Sequence, residues 1–157
     1  MRRADREVKD RAEILAILDQ CESLSLALMD GDYPYVIEMN FGYEDDGEHL
    51  RLYFHGAKEG KKLDLMRVNP HAAFSASTAH ELVAGKVPCA TAFKYLSVCG
   101  KGDMRMVEGD ERMHALSVVF THYDRESTDV FEEKHANAVC LFAMEVLSFT
   151  GKRRLTK

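Results

Sequence analysis

The sequence predicts a single α+β domain, 1–157, in which an antiparallel sheet closes into a barrel with helices at its periphery. Three observations lead to this prediction. Residues 33–47 and 50–55 alternate between apolar and polar side chains, tight Asp-Gly turns flank them, and other stretches repeat apolar residues at helical spacing. No linker, repeat or low-complexity segment divides the chain, and we expect six or seven strands with three helices.

An amphipathic helix is predicted first, over about residues 6–20, where Val8, Leu15 and Leu18 recur at helical spacing. The apolar segment LSLALM follows and is typical of a short strand. The next residues, DGD, are a hairpin-type turn, so the following segment should return alongside this strand.

Two further strands should complete an antiparallel meander. In YPYVIEMNFGYEDDG the odd-numbered apolar residues share one face and the even-numbered residues share the other. The turn DDGEH leads into LRLYFH, where Tyr53 and His55 lie on the face opposite Leu52 and Phe54. The buried face of these strands is therefore expected to carry the core.

The second half of the chain adds two helices and three strands. EGKKLDLMRVNP predicts a short helix that ends before Pro70, because a proline disfavours helical geometry in the residue before it. HAAFSAST is a fourth strand, and residues 80–91 are predicted as a loop. FKYLSVCGKGDMRMV is a long strand or a bent pair, with Gly100 and Gly102 marking a bulge or turn. A helix near 110–123 and the last strand, AVCLFAMEVLSFTGK, complete the domain.

Composition excludes several classes of protein. The chain has 26 acidic and 21 basic residues and a net charge of -5, which argues against a general nucleic-acid binder. Its apolar runs are far shorter than the ~18 residues needed to span a bilayer, and the charged start MRRADREVKD is not a signal peptide. We therefore expect a cytoplasmic protein with no nucleic-acid or membrane partner.

Cysteine and histidine spacing gives little support for a metal site. The four cysteines are far apart and form no C-x-x-C pair, which indicates reduced thiols in a cytoplasm. HELVA lacks the second histidine of a zinc-binding H-E-x-x-H helix. Cys89 and Cys99 are expected to be buried as small apolar residues, and His114 and His122 to lie on the surface of the last helix.

The segment YFHGAKEGKK places a small basic cluster where a strand gives way to a helix. It is not a nucleotide-triphosphate loop, because only three residues separate Gly56 from Gly60 and Lys62 stands where a hydroxyl is required. A helix beginning near Glu59 would present free backbone N–H groups beside Lys61 and Lys62, which suits a phosphate monoester. A solvated turn with exposed lysines fits the same spacing, so both interpretations remain open.

The stretch YPYVIEMNFGYEDDGEHLRLYFHGAKEGKKLDLMRVNP resembles the FMN-binding split-barrel superfamily related to pyridoxamine 5'-phosphate oxidase. Within it, the chain is most similar to the nitroimidazole-resistance (Nim-type) flavoproteins. The later segment CATAFKYLSVCGKGDMRMVEGDERMHALSVVFTHY and the terminal TGK resemble that branch in the same order. The resemblance therefore covers nearly the whole chain.

That resemblance implies a six-stranded antiparallel split β-barrel of Greek-key type, which forms a homodimer and holds FMN in clefts between its subunits. VIEMN would lie along the isoalloxazine, His55 with Lys61 and Lys62 would form the phosphate end, and the partner subunit would contribute Tyr95 and Ser97. The implied cofactor-binding residues are Ile37, Glu38, Met39, Asn40, Tyr53, His55, Gly56, Lys61, Lys62, Tyr95 and Ser97.

One residue departs from the family pattern. Glu38 stands where the resemblance leads us to expect a proline. A carboxylate near a flavin would disfavour the anionic reduced form of the ring and lower its potential, or weaken its binding. The same carboxylate could equally point to solvent, and the sequence leaves the two alternatives open.

The implied activity is that of an oxidoreductase which uses FMN to reduce a small electron-poor, nitroimidazole-like substrate. A non-catalytic flavin- or haem-binding module is the alternative. No acid–base pair stands out, which is expected where a flavin carries the redox chemistry. His55 is the possible catalytic residue; it either bonds the FMN phosphate, the favoured role because the lysines lie one short turn away, or donates a proton to the substrate.

Overall fold

The strands of this chain form one antiparallel sheet that rolls into a split barrel. The structure is a computed structural model and describes residues 3–126 and 131–154. In chain order the elements are a 3-10 turn (Ala4–Arg6), β1 (Glu7–Val8), α1 (Arg11–Leu18), β2 (Leu24–Asp30), β3 (Tyr33–Met39), β4 (Gly42–Asp45), β5 (Leu50–Gly56), α2 (Lys61–Val68), β6 (His71–Val83), a second 3-10 turn (Pro88–Ala90), β7 (Ala92–Met106), α3 (Glu111–Tyr123), α4 (Glu133–Ala138) and β8 (Cys140–Arg154).

The sheet has the strand order β3-β2-β6-β7-β8-β5-β4, with β1 paired to β8. The predicted α+β split barrel is confirmed, although the described residues form eight strands rather than six. The increase has two sources. The two-residue strand β1 was not predicted, and the single strand predicted over 33–47 is two strands, β3 and β4.

The break between β3 and β4 closes the barrel. β3 pairs with β2 at one end of the strand order, and β4 pairs with β5 at the other end. Asn40 and Phe41, which lie between them, therefore carry the chain from one edge of the sheet to the other. One continuous strand would run along a single edge of the sheet, whereas β3 pairs with β2 and β4 pairs with β5 at the opposite edge.

Two apolar clusters lie on opposite faces of the sheet. The larger fills the barrel and includes Leu52, Phe54 and Phe142. The smaller lies between the outside of the sheet and α3, where Tyr53 packs against Val119. The alternation predicted for LRLYFH is thus confirmed, and both of its faces are covered.

Two predicted segments need correction, and a third is confirmed. β6 extends to Val83 and pairs with β7 as far as Val83 and Ala92, so only the later part of the predicted 80–91 loop lacks strand pairing. The last strand begins at Cys140 rather than near 138, because the unpredicted helix α4 occupies Glu133–Ala138. The predicted bulge in β7 is confirmed by a register shift between Lys101 and Gly102.

Burial corrects the expectation for two cysteines and one histidine. Cys89 and Cys99 are exposed, not buried. His114 lies on the surface as predicted, whereas His122 is partly buried, with its Nε2 2.9 Å from the carbonyl oxygen of Cys21. No helix in the described part of the chain is both long enough and apolar enough to cross a bilayer.

Candidate functional site

The gap between β3 and β4 is held by the last residue of α3. The Tyr123 hydroxyl donates to the carbonyl oxygen of Glu22 (2.8 Å) and accepts from the backbone N–H of Phe41 (3.0 Å). The Asn40 side-chain amide donates to the same hydroxyl (3.2 Å) and to the carbonyl of Glu22 (3.3 Å). The Tyr123 hydroxyl thus bonds two backbone groups, the Glu22 carbonyl and the Phe41 N–H, beside the point where strand pairing is interrupted.

Beside this gap, α3 and α4 cover an apolar cavity of about 410 Å³. His55, at the end of β5, contributes a ring whose Nδ1 is buried and has no hydrogen-bond partner in the part of the chain that the structure describes. Asn40 and Tyr123 line the cavity as well. The other lining residues are Leu116, Val119, Phe120, Phe131, His135 and Val139. A buried polar atom without a partner in an apolar pocket is typical of a ligand site.

A second recess, of about 380 Å³, is lined by cationic side chains. Lys58, Arg67 and Arg112 line it together with Cys140, and Val139 lines both recesses. Burial raises the pKa of the Cys140 thiol, while the positive charges of Arg112, Arg67 and Lys62 act to lower it. An apolar space and a cationic space therefore both border Val139, the residue before β8.

Lys62 lies at the junction of strand and helix. A Cβ placed on Gly56 would be 3.0 Å from Cε and 3.1 Å from Nζ of Lys62, so the lysine side chain runs directly over this glycine. Gly56 pairs with Cys140 across the sheet. The absence of a side chain at Gly56 thus lets the ammonium group approach the backbone beside the cationic recess.

Lys61 points elsewhere. Its ammonium group forms an ion pair with Asp30 and lies 5.3 Å from the centre of the Tyr35 ring. Successive helical residues diverge by about 100°, so neighbouring lysines cannot both face one point. The structure therefore separates the two lysines of the basic cluster.

Tyr95 and Ser97 lie far from His55 within one chain. His55 pairs with Leu141 and Ser97 pairs with Lys152, near the two ends of β8. Eleven residues of strand correspond to about 36 Å of chain. Near Ser97, hydrogen bonding from Lys152 lowers the pKa of the Tyr95 hydroxyl, whose ring lies 5.4 Å from the Lys152 ammonium. One subunit does not bring the two groups together.

The side chains of VIEMN divide between core and surface. Met39 is buried in the barrel core and Ile37 packs against that core with part of its side chain exposed. Glu38 is exposed on the opposite face and accepts hydrogen bonds from the hydroxyl groups of Ser23 and Ser25 on or beside β2. Its carboxylate is oriented by this strand pair.

Tyr53 belongs to an ionic network rather than to either recess. Its hydroxyl donates to Glu111 (3.0 Å), which also accepts two hydrogen bonds from Arg105. Arg105 and Arg51 both bond Glu145. The hydrogen bonds from Arg105 hold the pKa of Glu111 at about 2. This network attaches the start of α3 to the sheet.

A larger cavity of about 530 Å³ lies on the other side of α3, but its charged side chains are already paired and so are less available to a ligand. Its charged groups are paired: Asp19 accepts from the Tyr43 hydroxyl (2.7 Å) and from Arg125 (2.6 Å). His114 lies 2.7 Å from Glu44 in the same way. These groups need no further partner, whereas His55 does.

A sequence model of the pyridoxamine 5'-phosphate oxidase family matches residues 10–153. The chain belongs to this family. The predicted resemblance is confirmed on that match. No curated protein matches the chain in sequence.

Solved structures share the family fold. The chain is 28% identical to a candidate 5-nitroimidazole antibiotic resistance protein from Bacteroides thetaiotaomicron, with a TM-score of 0.80 over 94% of this chain and 86% of that one. It is 17% identical to an FAD and haem binding protein from Mycobacterium smegmatis, with a TM-score of 0.81 over 96% and 74% of the two chains. A flavocytochrome from Azotobacter vinelandii is 18% identical, with a TM-score of 0.78 over 99% and 72%.

Several residues of the site in this family member were not predicted. Phe120 and Tyr123 were recognised only as the apolar face of a helix. Nothing in the sequence indicated that Arg112 belongs to the site. Its guanidinium is held beside the recess by a hydrogen bond to the carbonyl oxygen of Ala136 in α4, a helix that was not predicted. The cation-rich recess draws its residues from three separate segments, so no local spacing could reveal it.

Proposed function

We propose that this protein binds FMN and acts as an oxidoreductase on a small electron-poor substrate. The observation that carries the proposal is a pair of recesses that share Val139 as a lining residue. One is apolar and contains His55 Nδ1, which has no hydrogen-bond partner among the described residues, and the other is lined by cationic side chains. FMN has the matching form: a planar ring with a polar edge, joined to a phosphate monoester. Pockets for such ligands are mostly apolar, with a few well-placed polar groups.

The residues present fit that cofactor at both ends. His55 offers a buried nitrogen to the ring end, and Asn40 offers its amide beside it. At the other end the absence of a side chain at Gly56 makes room for Lys62, whose Cε and Nζ lie 3.0 and 3.1 Å from the position that a Cβ would take. Lys58, Arg67 and Arg112 line the cationic recess, and the charge of Lys62 acts on Cys140 in its wall; these four side chains would hold the phosphate through charge-assisted hydrogen bonds.

The bound flavin would supply the electron transfer, and the chain would bind the ring, exclude water and orient the substrate. The apolar wall of α3 and α4 favours a substrate with little charge. The 28% identity to a candidate 5-nitroimidazole antibiotic resistance protein supports an electron-poor ring as that substrate. His55 would either bond the cofactor or hold a proton at Nδ1 for the substrate.

A homodimer is part of the proposal. Tyr95 and Ser97 can join the site only from a second copy, since they lie at the far end of β8. Apolar residues on the β6–β7 hairpin support such an interface: Leu82 and Phe93 are paired across the hairpin and are 66% and 46% exposed. Contiguous exposed apolar surface is typical of contacts between proteins.

A haem-binding or sensing module is the second candidate. It is favoured by two histidines, His55 and His135, on the wall of one apolar cavity, because imidazole is a common axial ligand of haem iron. The names of the Mycobacterium and Azotobacter structures support the same alternative. Absorption separates the candidates: a flavin spectrum on the purified or reconstituted protein supports the first, and a Soret band supports the second.

The phosphate end is tested by replacing one lysine at a time. Lys62→Ala should weaken FMN binding about 10- to 100-fold, the value of one charge-assisted hydrogen bond, and leave riboflavin binding unchanged. Lys61→Ala makes the same change in charge one residue away, but its ammonium is paired with Asp30, so we expect less than about a 3-fold effect. Fluorescence titration measures both. Equal affinity of the parent for FMN and riboflavin would contradict the proposal.

The reaction is tested separately from binding. Flavin-loaded protein, photoreduced without oxygen, should be reoxidised on addition of a nitroimidazole, with loss of nitro absorbance in proportion. If the flavin stays reduced after the nitroimidazole is added, the proposed oxidoreductase activity is contradicted and only flavin binding remains supported.

A further inference from the structure

The hydrogen bonds at the β3–β4 gap determine which way the Asn40 amide faces. The carbonyl oxygen of Glu22 can only accept, so the group of Asn40 that lies 3.3 Å from it must be the NH₂. The same NH₂ donates its other hydrogen to Tyr123. Both donors of the amide are therefore used.

One acceptor is left on the cavity wall. Oδ1 of Asn40 has no hydrogen-bond partner among the described residues, and Asn40 lines the same cavity as His55. Most of the remaining wall is apolar. A ligand that enters this cavity thus meets an acceptor whose orientation is fixed by neighbouring groups, and a matching ligand must bring an N–H or O–H donor.

We infer that Tyr123 is a positioning residue which holds Asn40 so that Oδ1 accepts a hydrogen bond from the N3–H of the flavin ring. The inference rests on the proposed function. In the oxidised isoalloxazine, N3–H is the only N–H of the ring, so it is the one ring group that can donate to this oxygen. Tyr123 thereby makes the site selective for a ring with a free imide N–H.

The hydroxyl of Tyr123 is suited to this role because it has no freedom to rotate. Its own hydrogen is donated to Glu22, and its two lone pairs accept from Phe41 and Asn40. Removing the hydroxyl would leave the Asn40 amide with one anchor, the carbonyl of Glu22, and the amide could then turn away from the ligand.

The test compares Tyr123→Phe with Tyr43→Phe. Tyr43 also loses a hydroxyl that is hydrogen-bonded, to Asp19 and Leu15, but it does not line the cavity. Binding of riboflavin, FMN and N3-methylriboflavin is measured by fluorescence titration, and thermal unfolding is measured alongside. The parent should prefer riboflavin to its N3-methyl derivative by about 10-fold, as expected for one hydrogen bond.

Tyr123→Phe should weaken the binding of riboflavin and of FMN by the same factor, about 5-fold. It should also reduce the preference of the protein for riboflavin over N3-methylriboflavin to under about 3-fold. Tyr43→Phe should lower the melting temperature without changing that preference. If Tyr123→Phe does not fold, Asn40→Ala supplies the same test, with the same loss of preference expected.

Two outcomes overturn the inference, and they are distinguishable. A parent that binds riboflavin and its N3-methyl derivative equally, or a Tyr123→Phe variant that keeps the full preference, overturns the positioning role alone. A parent that binds neither riboflavin nor FMN overturns the proposed function and the inference with it.

Discussion

Glu111 shows how a single carboxylate attaches α3 to the sheet. Arg105 approaches it with two parallel hydrogen bonds of 2.6 and 2.8 Å, and the Tyr53 hydroxyl adds a third of 3.0 Å. Paired, planar contact of this kind is among the stronger side-chain interactions. Since α3 carries the wall of the apolar cavity, this residue supports the site without contacting it.

The stability that Glu111 contributes should depend on pH. Its pKa is held at about 2 in the folded protein, against an ordinary value of 4.5. A carboxyl group with a lowered pKa stabilises the fold fully above its unfolded pKa, and this contribution is lost as the pH falls from about 4.5 towards 2. Because the side chain is 31% exposed, solvent screening limits the contribution to about 1 to 2 kcal/mol.

Urea unfolding between pH 6 and pH 3 measures this effect. Glu111→Gln should be less stable than the parent at pH 6, and the difference should shrink as the pH falls. Tyr53→Phe leaves the Arg105 pair in place and should keep most of the parent's pH dependence. A cost of Glu111→Gln that is the same at every pH would contradict the assignment.

At the scale of elements, the close approach of α3 to β4 depends on Gly42. A Cβ at Gly42 would lie 2.3 Å from the carbonyl oxygen of Val118 and 2.7 Å from Cα of Val119. These are backbone atoms of α3, which cannot move aside as a flexible side chain could. The helix therefore packs directly on the strand, and this contact sets the depth of the cavity behind it.

Gly42→Ala should destabilise the protein by about 2 kcal/mol or more, the cost of forcing an extra methyl group into a packed contact. Gly109→Ala is the control, because its Cβ meets nothing and only its positive φ of 58° makes alanine unfavourable. That cost is about 1 kcal/mol. Urea unfolding of the two variants checks the order, and equal costs would contradict the close packing of α3 on β4.

The sequence predicts the individual helices and strands better than it predicts how they are arranged. Alternation and Asp-Gly turns locate β2, β3 and β5, since these signals are local. The break at Asn40 could not be predicted, because Asn40 and Phe41 continue the alternation of the strand and only barrel closure separates β3 from β4. The short helix α4 was not predicted. Because Arg112 is held against α4 and Asn137 of α4 lines the cationic recess, the recess was not predicted either.

At the scale of the molecule, two groups of basic residues lie near opposite ends of β8. Lys58, Lys62, Arg67 and Arg112 surround the start of β8, whereas Lys152 and Arg154 lie near its end, where they pair with Ser97 and Tyr95. The family resemblance already implied that Lys62 and the pair Tyr95 and Ser97 reach one site from different subunits. The strand register agrees with this, because it separates them within one subunit, so the proposed site requires the proposed homodimer.

A complementation experiment tests this arrangement. Light scattering should first give twice the chain mass of 17.8 kDa. Lys62→Ala and the double variant Tyr95→Ala/Ser97→Ala should each weaken FMN binding as homodimers. Mixed by unfolding and refolding together, they form hybrid dimers in which one cleft carries both changes and the other carries none. Random pairing in a two-fold dimer then restores about a quarter of the clefts to parent affinity. Sites built from one subunit would give no restoration, and a monomeric mass with flavin bound would contradict the shared cleft directly.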